Sequence, residues 1–179
     1  MANLTEIANR LGIDKGTEHY EKHSYTLIYD ELFNEYKEKH IKLFEIGIND
    51  PRYINSSVHL WGEYFNDLYF VGFDIKDCSR FDDDKIHTFK GDQGNIDDLN
   101  NAIEKFGGEY DVIIDDGSHF HNHHMITFNT LYQHLKPGGY YIIEDLQAHD
   151  GYRTIEQFNN SNLEFTLECD NKLLIIKKS

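Results

Sequence analysis

The residues of this chain best suited to chemistry are its carboxylates, because of where they fall. Five short apolar runs end in an acid or just before one. Leu43-Phe44 leads into Glu45, Tyr69 to Phe73 into Asp74, and Ile86 to Phe89 precedes Asp92. Val112 to Ile114 leads into Asp115-Asp116, and Tyr140 to Ile143 into Glu144-Asp145. Two acidic pairs on adjacent strand ends can supply several oxygen ligands to one hard divalent cation. Mg²⁺ prefers such oxygens and keeps positions open for water or substrate. Without a cation the acids would repel one another, and some would be pushed to high pKa. The structural alternative is that they cap helices and accept hydrogen bonds.

The segment DVIIDDGSHFHNHH, Asp111 to His124, is the richest. Its histidines invite a zinc reading, but no cysteine accompanies them and the neighbouring carboxylates are harder ligands. His121, His123 and His124 fall at the start of a helix and are expected on the surface. His119 differs, because it follows Asp116 in the turn at the strand end. Imidazole titrates near neutrality and is the usual proton acceptor, so His119 is the candidate general base.

Two further segments describe an adenosine site. In LFEIGI, Leu43 to Ile48, a strand runs into an acid and a glycine, which suits close approach of the backbone to a nucleoside. Asn49 and Asp50 stand where a dinucleotide fingerprint would carry more glycines, so a pyrophosphate site is disfavoured. In VGFDI, Asp74 ends the next strand and can accept from both ribose hydroxyls. Gly91-Asp92-Gln93-Gly94 follows a third strand and could meet an adenine edge through Asp92 or Gln93.

These residues require a frame. Short apolar runs separated by helix-length segments read as an α/β fold, a Rossmann-like, mostly parallel sheet with helices on both faces. Strands are expected at Ile41 to Ile46, Tyr69 to Asp74, Ile86 to Lys90, Asp111 to Asp115 and Gly139 to Glu144. Helices are expected at Asn3 to Leu11, Tyr25 to Glu38, Ser56 to Tyr64, Ile96 to Phe106 and Asn122 to Leu135, the last stopped by Pro137-Gly138-Gly139. Leu163 to Glu168 and Lys172 to Lys177 read as an antiparallel hairpin around Asp170-Asn171. In such a sheet the strand C-termini share one edge, and ligands bind beyond it. Acids far apart in sequence would then line one cleft.

The bulk numbers narrow the function. At 179 residues the chain fits one domain, with residues 1–40 as a helical cap or lid over an α/β core of 41–179. The formal charge of −15 opposes a nucleic-acid backbone binder and docking on an anionic membrane. No run reaches the roughly 20 apolar residues of a membrane span, and the polar N-terminus shows no secretory signal. Cys78 and Cys169 have no metal or redox spacing, which fits a cytoplasmic protein.

The chain resembles class I S-adenosylmethionine-dependent methyltransferases, and more narrowly the Mg²⁺-dependent sugar O-methyltransferases of macrolide tailoring and polysaccharide loci. The matching pieces are DKGTEHYEKHSYTLIYDELF, LFEIGI, LWGEYF, VGFDI, DVIIDDGSH and LKPGGYYIIEDL, from Asp14 to Leu146, about three quarters of the chain. The resemblance implies that Asp116, Glu144 and Asp145 ligate Mg²⁺ and that His119 is the base. Glu45, Gly47, Asp74, Asp92, Gln93 and Asp115 would surround the cofactor. Lys15, Thr17 and Tyr25 would close over it, and His19, Tyr20, His149 and Tyr152 would face the acceptor.

The loop Asn49 to Ser57, with Pro51, departs from the usual glycine-rich turn. The macrolide enzymes also carry a large N-terminal domain that this sequence does not show, so their acceptor and assembly do not transfer; a homo-oligomer stays open. The expected reaction is in-line methyl transfer to a hydroxyl of a sugar or glycan precursor. Phosphorylated, amine-bearing or catechol-like acceptors are the alternatives. A non-catalytic adenosine-binding module and a metal-dependent hydrolase or hydroxylase are the rival classes.

Overall fold

Strands sandwiched between two helical layers must be apolar on both faces. The computed structural model, which describes residues 2–19, 22–48 and 55–179, shows this directly. Five parallel strands form the centre: β1 (His40–Ile46), β2 (Asp67–Asp74), β3 (Ile86–Lys90), β4 (Tyr110–Asp115) and β5 (Leu135–Ile143). Two antiparallel strands, β6 (Thr166–Glu168) and β7 (Leu173–Lys177), complete a seven-stranded sheet in the order β3-β2-β1-β4-β5-β7-β6.

Alternation along each strand divides the core. Leu43, Val112, Ile114 and Ile142 pack on one face against α1 (Leu4–Leu11), α2 (Tyr25–Phe33) and α3 (Ser57–Tyr64), with Trp61, Tyr29 and Phe33 among the buried side chains. Phe44, Phe73, Ile113 and Tyr141 pack on the other face with residues of α4 (Ile96–Phe106), α5 (His121–Leu131) and α6 (Tyr152–Asn159). The order places β1 beside β4, the point where the winding reverses, and a ligand crevice opens there.

Most expected elements are present, with several shifted ends. Asn3 caps α1 by accepting the Glu6 N–H at 2.8 Å, and Asn95 caps α4 by accepting from Asp97 at 3.1 Å. Helix α2 ends at Phe33 rather than Glu38, followed by a single 3₁₀ turn over Asn34–Tyr36. Helix α5 ends at Leu131, not Leu135, and β5 begins at Leu135 rather than Gly139. The reason is Lys178, whose ammonium takes the carbonyls of Tyr132, Gln133 and Leu135 at 3.1, 3.2 and 2.6 Å. The hairpin joins Glu168 to Leu173, with Cys169, Asp170 and Asn171 all left-handed at φ of 52°, 58° and 64°. Helix α6 was not anticipated.

Candidate functional site

Glycine is required where β1 meets β4. Gly47 has a φ of +81°, and a Cβ there would lie 2.0 Å from the Asp116 carbonyl oxygen. The Gly47 N–H donates to the Phe73 carbonyl at 2.8 Å, and the Asp116 N–H to the Ile46 carbonyl at 3.0 Å. These bonds bring the ends of β1, β2 and β4 together at the floor of a cleft of about 490 Å³.

Eight of the expected site residues line this cleft: Lys15, Gly47, Asp74, Asp92, Gln93, Asp116, His119 and Asp145. Asp74 is oriented by backbone donors, Ile48 N–H at 3.0 Å and Lys76 N–H at 2.8 Å. Gln93 bridges two turns: its amide donates to Asp115 at 3.0 Å, and its carbonyl accepts the Ser118 N–H at 2.6 Å.

Three acids stand behind the cleft wall instead. Asp115 is fully buried, accepting from Gln93 and from the Thr127 hydroxyl. Glu45 accepts the Ser57 hydroxyl at 2.7 Å and the Trp61 indole N–H at 2.9 Å. Glu144 accepts the Tyr29 hydroxyl and the Lys15 ammonium, each at 2.6 Å. Thr17 is tied to Asn9, with its N–H donating to the Asn9 side-chain oxygen at 2.8 Å. His149 stacks on Phe120, ring centroids 4.3 Å apart, while Tyr152 opens α6 and is 58% exposed. His19 is partly buried and does not line the cleft. Tyr20 and Asn49 to Ile54 lie outside the described residues.

The acids and the histidine converge. Asp116, His119 and Asp145 each offer a ligand atom within 4.8 Å of the others, and so do Glu45, Asp116 and Glu144. The first group faces the cleft; the second lies deeper. His119 has a left-handed φ of 61°, its Nε2 is 3.8 Å from Asp145 Oδ2, and its Nδ1 is buried without a hydrogen-bond partner among the described residues. The paired acids after β5 are held from α2: Tyr25 donates to Asp145 at 2.6 Å, as Tyr29 does to Glu144.

Burial and crowding set the charges. Burial pushes Glu45 up to about 7, with Lys15 only partly offsetting it. Asp116 rises to about 6, again through burial opposed by Lys15. Burial and the Asp116 charge raise Glu144 well above the carboxylate range. Asp145 goes the other way: burial would raise it, but His23 and the Tyr25 hydroxyl hold it below its usual value. Burial would lower Lys15, yet Asp116, Glu144 and Glu45 raise it well above 10.5.

The histidine run departs from its expected surface placement. His124 is fully buried with Nδ1 3.0 Å from the Thr154 hydroxyl, and His121 Nδ1 meets the same oxygen at 3.1 Å. His123 lines the cleft opposite Gly94, with Nδ1 2.7 Å from the Ser118 hydroxyl. The cause is α6, which packs Thr154 against α5 and sets Asp150 to accept the His121 N–H at 2.8 Å. Ser118 and His123 were thus missed as cleft residues; the GSH turn ahead of a helix was the one available signal.

Comparison with known proteins gives a consistent picture. No family model matches the chain. It is 36% identical over 144 residues to 8-demethyl-8-alpha-L-rhamnosyl tetracenomycin-C 2'-O-methyltransferase of Streptomyces olivaceus, covering 77% of this chain and 37% of that protein. It is 36% identical over 127 residues to demethylmacrocin O-methyltransferase of Streptomyces fradiae, covering 69% and 32%. The structure of the MycE methyltransferase from the mycinamycin biosynthetic pathway, in complex with Mg, SAH and mycinamycin VI, superposes with a TM-score of 0.82 at 25% identity, covering 99% of this chain and 55% of that one. The chain spans about a third of the length of the curated relatives it matches.

Proposed function

We propose that this chain, which shares sequence and fold with the sugar O-methyltransferases, transfers the methyl group of S-adenosylmethionine to a hydroxyl of a sugar or glycan precursor. The observation that carries this reading is the meeting of Asp116, His119 and Asp145 at a cleft that also holds Asp74. A nucleoside in that cleft would lie along the edge of β1 and β2, its ribose toward Asp74 and its base toward Asp92, Gln93 and His123.

Asp116, Glu144 and Asp145 are the acids we assign to a divalent cation, with Asp116 and Asp145 facing the cleft. Two groups that overlap at Asp116, one with His119 and Asp145 and one with Glu45 and Glu144, support the assignment, since hard cations take carboxylate oxygens. When bound, it would lower the pKa of an acceptor hydroxyl. His119 would accept that hydroxyl's proton, and Asp145 would steady the resulting imidazolium from 3.8 Å. The strand-end turns would hold the acceptor oxygen and the methyl carbon in line, the positioning on which this transfer depends. The exposed pair Phe120 and His149, beside His119, offers an apolar face to a sugar ring.

No helix among the described residues is long and apolar enough to cross a membrane. Both cysteines are unpaired, and we place the protein in the cytoplasm, at a step of glycan or natural-product synthesis. The test is transfer of a labelled methyl group from S-adenosylmethionine to a panel of glycosides. Label on a sugar hydroxyl, lost with EDTA, supports the reading; cofactor binding with no transfer to any hydroxyl acceptor contradicts it.

A further inference from the structure

Gln93 joins the two ends of the cleft. It sits in the turn after β3, where the Gly91 N–H donates to the Asp74 carbonyl at 2.9 Å and the Asp92 N–H to the Asp98 carboxylate of α4 at 2.9 Å. That turn is therefore anchored both to the acid we assign to the ribose and to α4. From it the Gln93 side chain crosses to the end of β4. Its amide N–H donates to Asp115 Oδ1 at 3.0 Å, and its carbonyl accepts the Ser118 N–H at 2.6 Å. A carboxylate only accepts and a backbone N–H only donates, so these two partners fix which end of the amide is which. The residue is 7% exposed.

The neighbouring residues are shaped to this bridge. A Cβ at Gly117 would lie 2.0 Å from the Gln93 carbonyl oxygen, so only glycine lets the amide reach Ser118. Asp115 is fully buried, and its other oxygen takes the Thr127 hydroxyl of α5. Among the described residues no backbone carbonyl takes the Ser118 N–H, and Gln93 fills that place. The Ser118 hydroxyl is held in turn, 2.7 Å from His123 Nδ1. His119 comes next, in the left-handed conformation at φ 61°. An amide that turned to pair with an adenine edge would leave Asp115 or Ser118 short of a partner in a buried place, which is costly.

We propose that Gln93 is a positioning residue: it sets the turn that aims His119 and does not read the adenine. This rests on the methyltransferase reading for what His119 does, and extends it to what holds that side chain at the reacting edge. Without the bridge the Ser118 N–H loses its partner and the His119 turn is free to shift. A displacement of about 1 Å can cost about 10²-fold in rate.

The experiment compares the unmodified chain with Gln93→Met, Gln93→Glu and the double variant Gln93→Glu/Asp115→Asn. S-adenosylhomocysteine affinity is read by calorimetry, and methyl transfer to a glycoside is read at saturating S-adenosylmethionine. Gln93→Met keeps the length of the side chain and makes neither bond. It should lower kcat by about 10–10²-fold and leave the dissociation constant within about threefold. Gln93→Glu still accepts from Ser118 but sets a second carboxylate against Asp115, and it should lose rate as well. Adding Asp115→Asn returns a donor to that pair and should recover most of the rate, which general damage to the fold would not do. An unchanged kcat in Gln93→Met overturns the proposal. So does a dissociation constant raised by about tenfold or more with kcat intact, the signature of a residue that only binds cofactor. A double variant no faster than Gln93→Glu overturns it too. In each of these cases transfer by the unmodified chain leaves the methyltransferase reading standing, whereas no transfer by the unmodified chain overturns both. Should Gln93→Met fail to fold, NMR of the unmodified protein decides. A scalar coupling between the Ser118 nitrogen and the Gln93 side-chain carbonyl carbon that survives S-adenosylhomocysteine binding supports the proposal, and its loss on binding overturns it.

Discussion

The hydroxyl of Tyr25 donates to the Asp145 carboxylate at 2.6 Å and also accepts the Asp145 N–H at 3.3 Å. One tyrosine of α2 thus fixes both the side chain and the backbone of a left-handed residue, φ 56°, at the end of β5. Four residues along the same helix, the Tyr29 hydroxyl donates to the Glu144 carboxylate, while the Glu144 N–H goes to the Asp115 carbonyl at 3.0 Å. Helix α2 is in this sense part of the acid site.

Tyr25→Phe should therefore do two things. Loss of a hydrogen bond to a charged group should destabilise the fold by about 1.5–3 kcal/mol in chemical denaturation. The Asp145 carboxyl, no longer held low by that hydroxyl, should also rise in pKa, seen by carbon-13 NMR of aspartate carboxyls. A variant as stable as the parent, with Asp145 unmoved, would show the bond to be incidental.

Gly47→Ala tests the junction of β1 with β4. The left-handed backbone alone costs a non-glycine residue roughly 1–2 kcal/mol. The new Cβ would also overlap a backbone oxygen that belongs to the strand end, and this cannot be relieved by rotating a side chain. The expected outcome is a drop in melting temperature together with loss of nucleoside binding, measured by calorimetry.

His119→Ala separates proton transfer from binding. A general base contributes about 10²–10⁴ in rate, so turnover should fall by that range while S-adenosylhomocysteine binds as before. Turnover close to that of the parent would remove His119 from the role.

The buried acids give the metal-free protein an unusual pH dependence. Glu45 at about 7 and Asp116 at about 6 both lie above their unfolded values. At these two acids the folded state holds more protons than the unfolded chain between roughly pH 4 and 7, so the stability they contribute is fully present below that window and is lost as pH rises through 6 to 7. In EDTA the melting temperature should fall across that window. In Mg²⁺ the trend should weaken or reverse, because the ion binds the deprotonated acids. A melting temperature in EDTA that rises from about pH 6 to 7.5 would contradict these shifts.

Much of this was legible in the sequence, for a physical reason. Strands buried on both faces must be apolar runs, and their polar ends must face the crevice, so LFEIGI, VGFDI and DVIIDDGSH marked strand, edge and cleft together. Long-range partners were not legible. Nothing near Lys15 indicates that its ammonium meets Asp116 and Glu144, which lie 101 and 129 residues away. Nor does the composition of the histidine run reveal that His124 is buried by Thr154 of α6. Glu45, Asp115 and Glu144 share the strand-end pattern of Asp74 and Asp116, and only the local donors, Ser57, Trp61, Thr127 and Tyr29, show that they stand behind the cleft.

The central claim is that one cleft holds the methyl donor and a divalent cation side by side. Thermal unfolding with S-adenosylhomocysteine, in EDTA and in Mg²⁺, tests it most directly. Nucleoside at about 100 times its dissociation constant should add about 2.7 kcal/mol, or roughly 5–10 °C at this chain length. The account predicts that shift, with a further change when Mg²⁺ replaces EDTA. No shift at saturating nucleoside, with or without the metal, would contradict it.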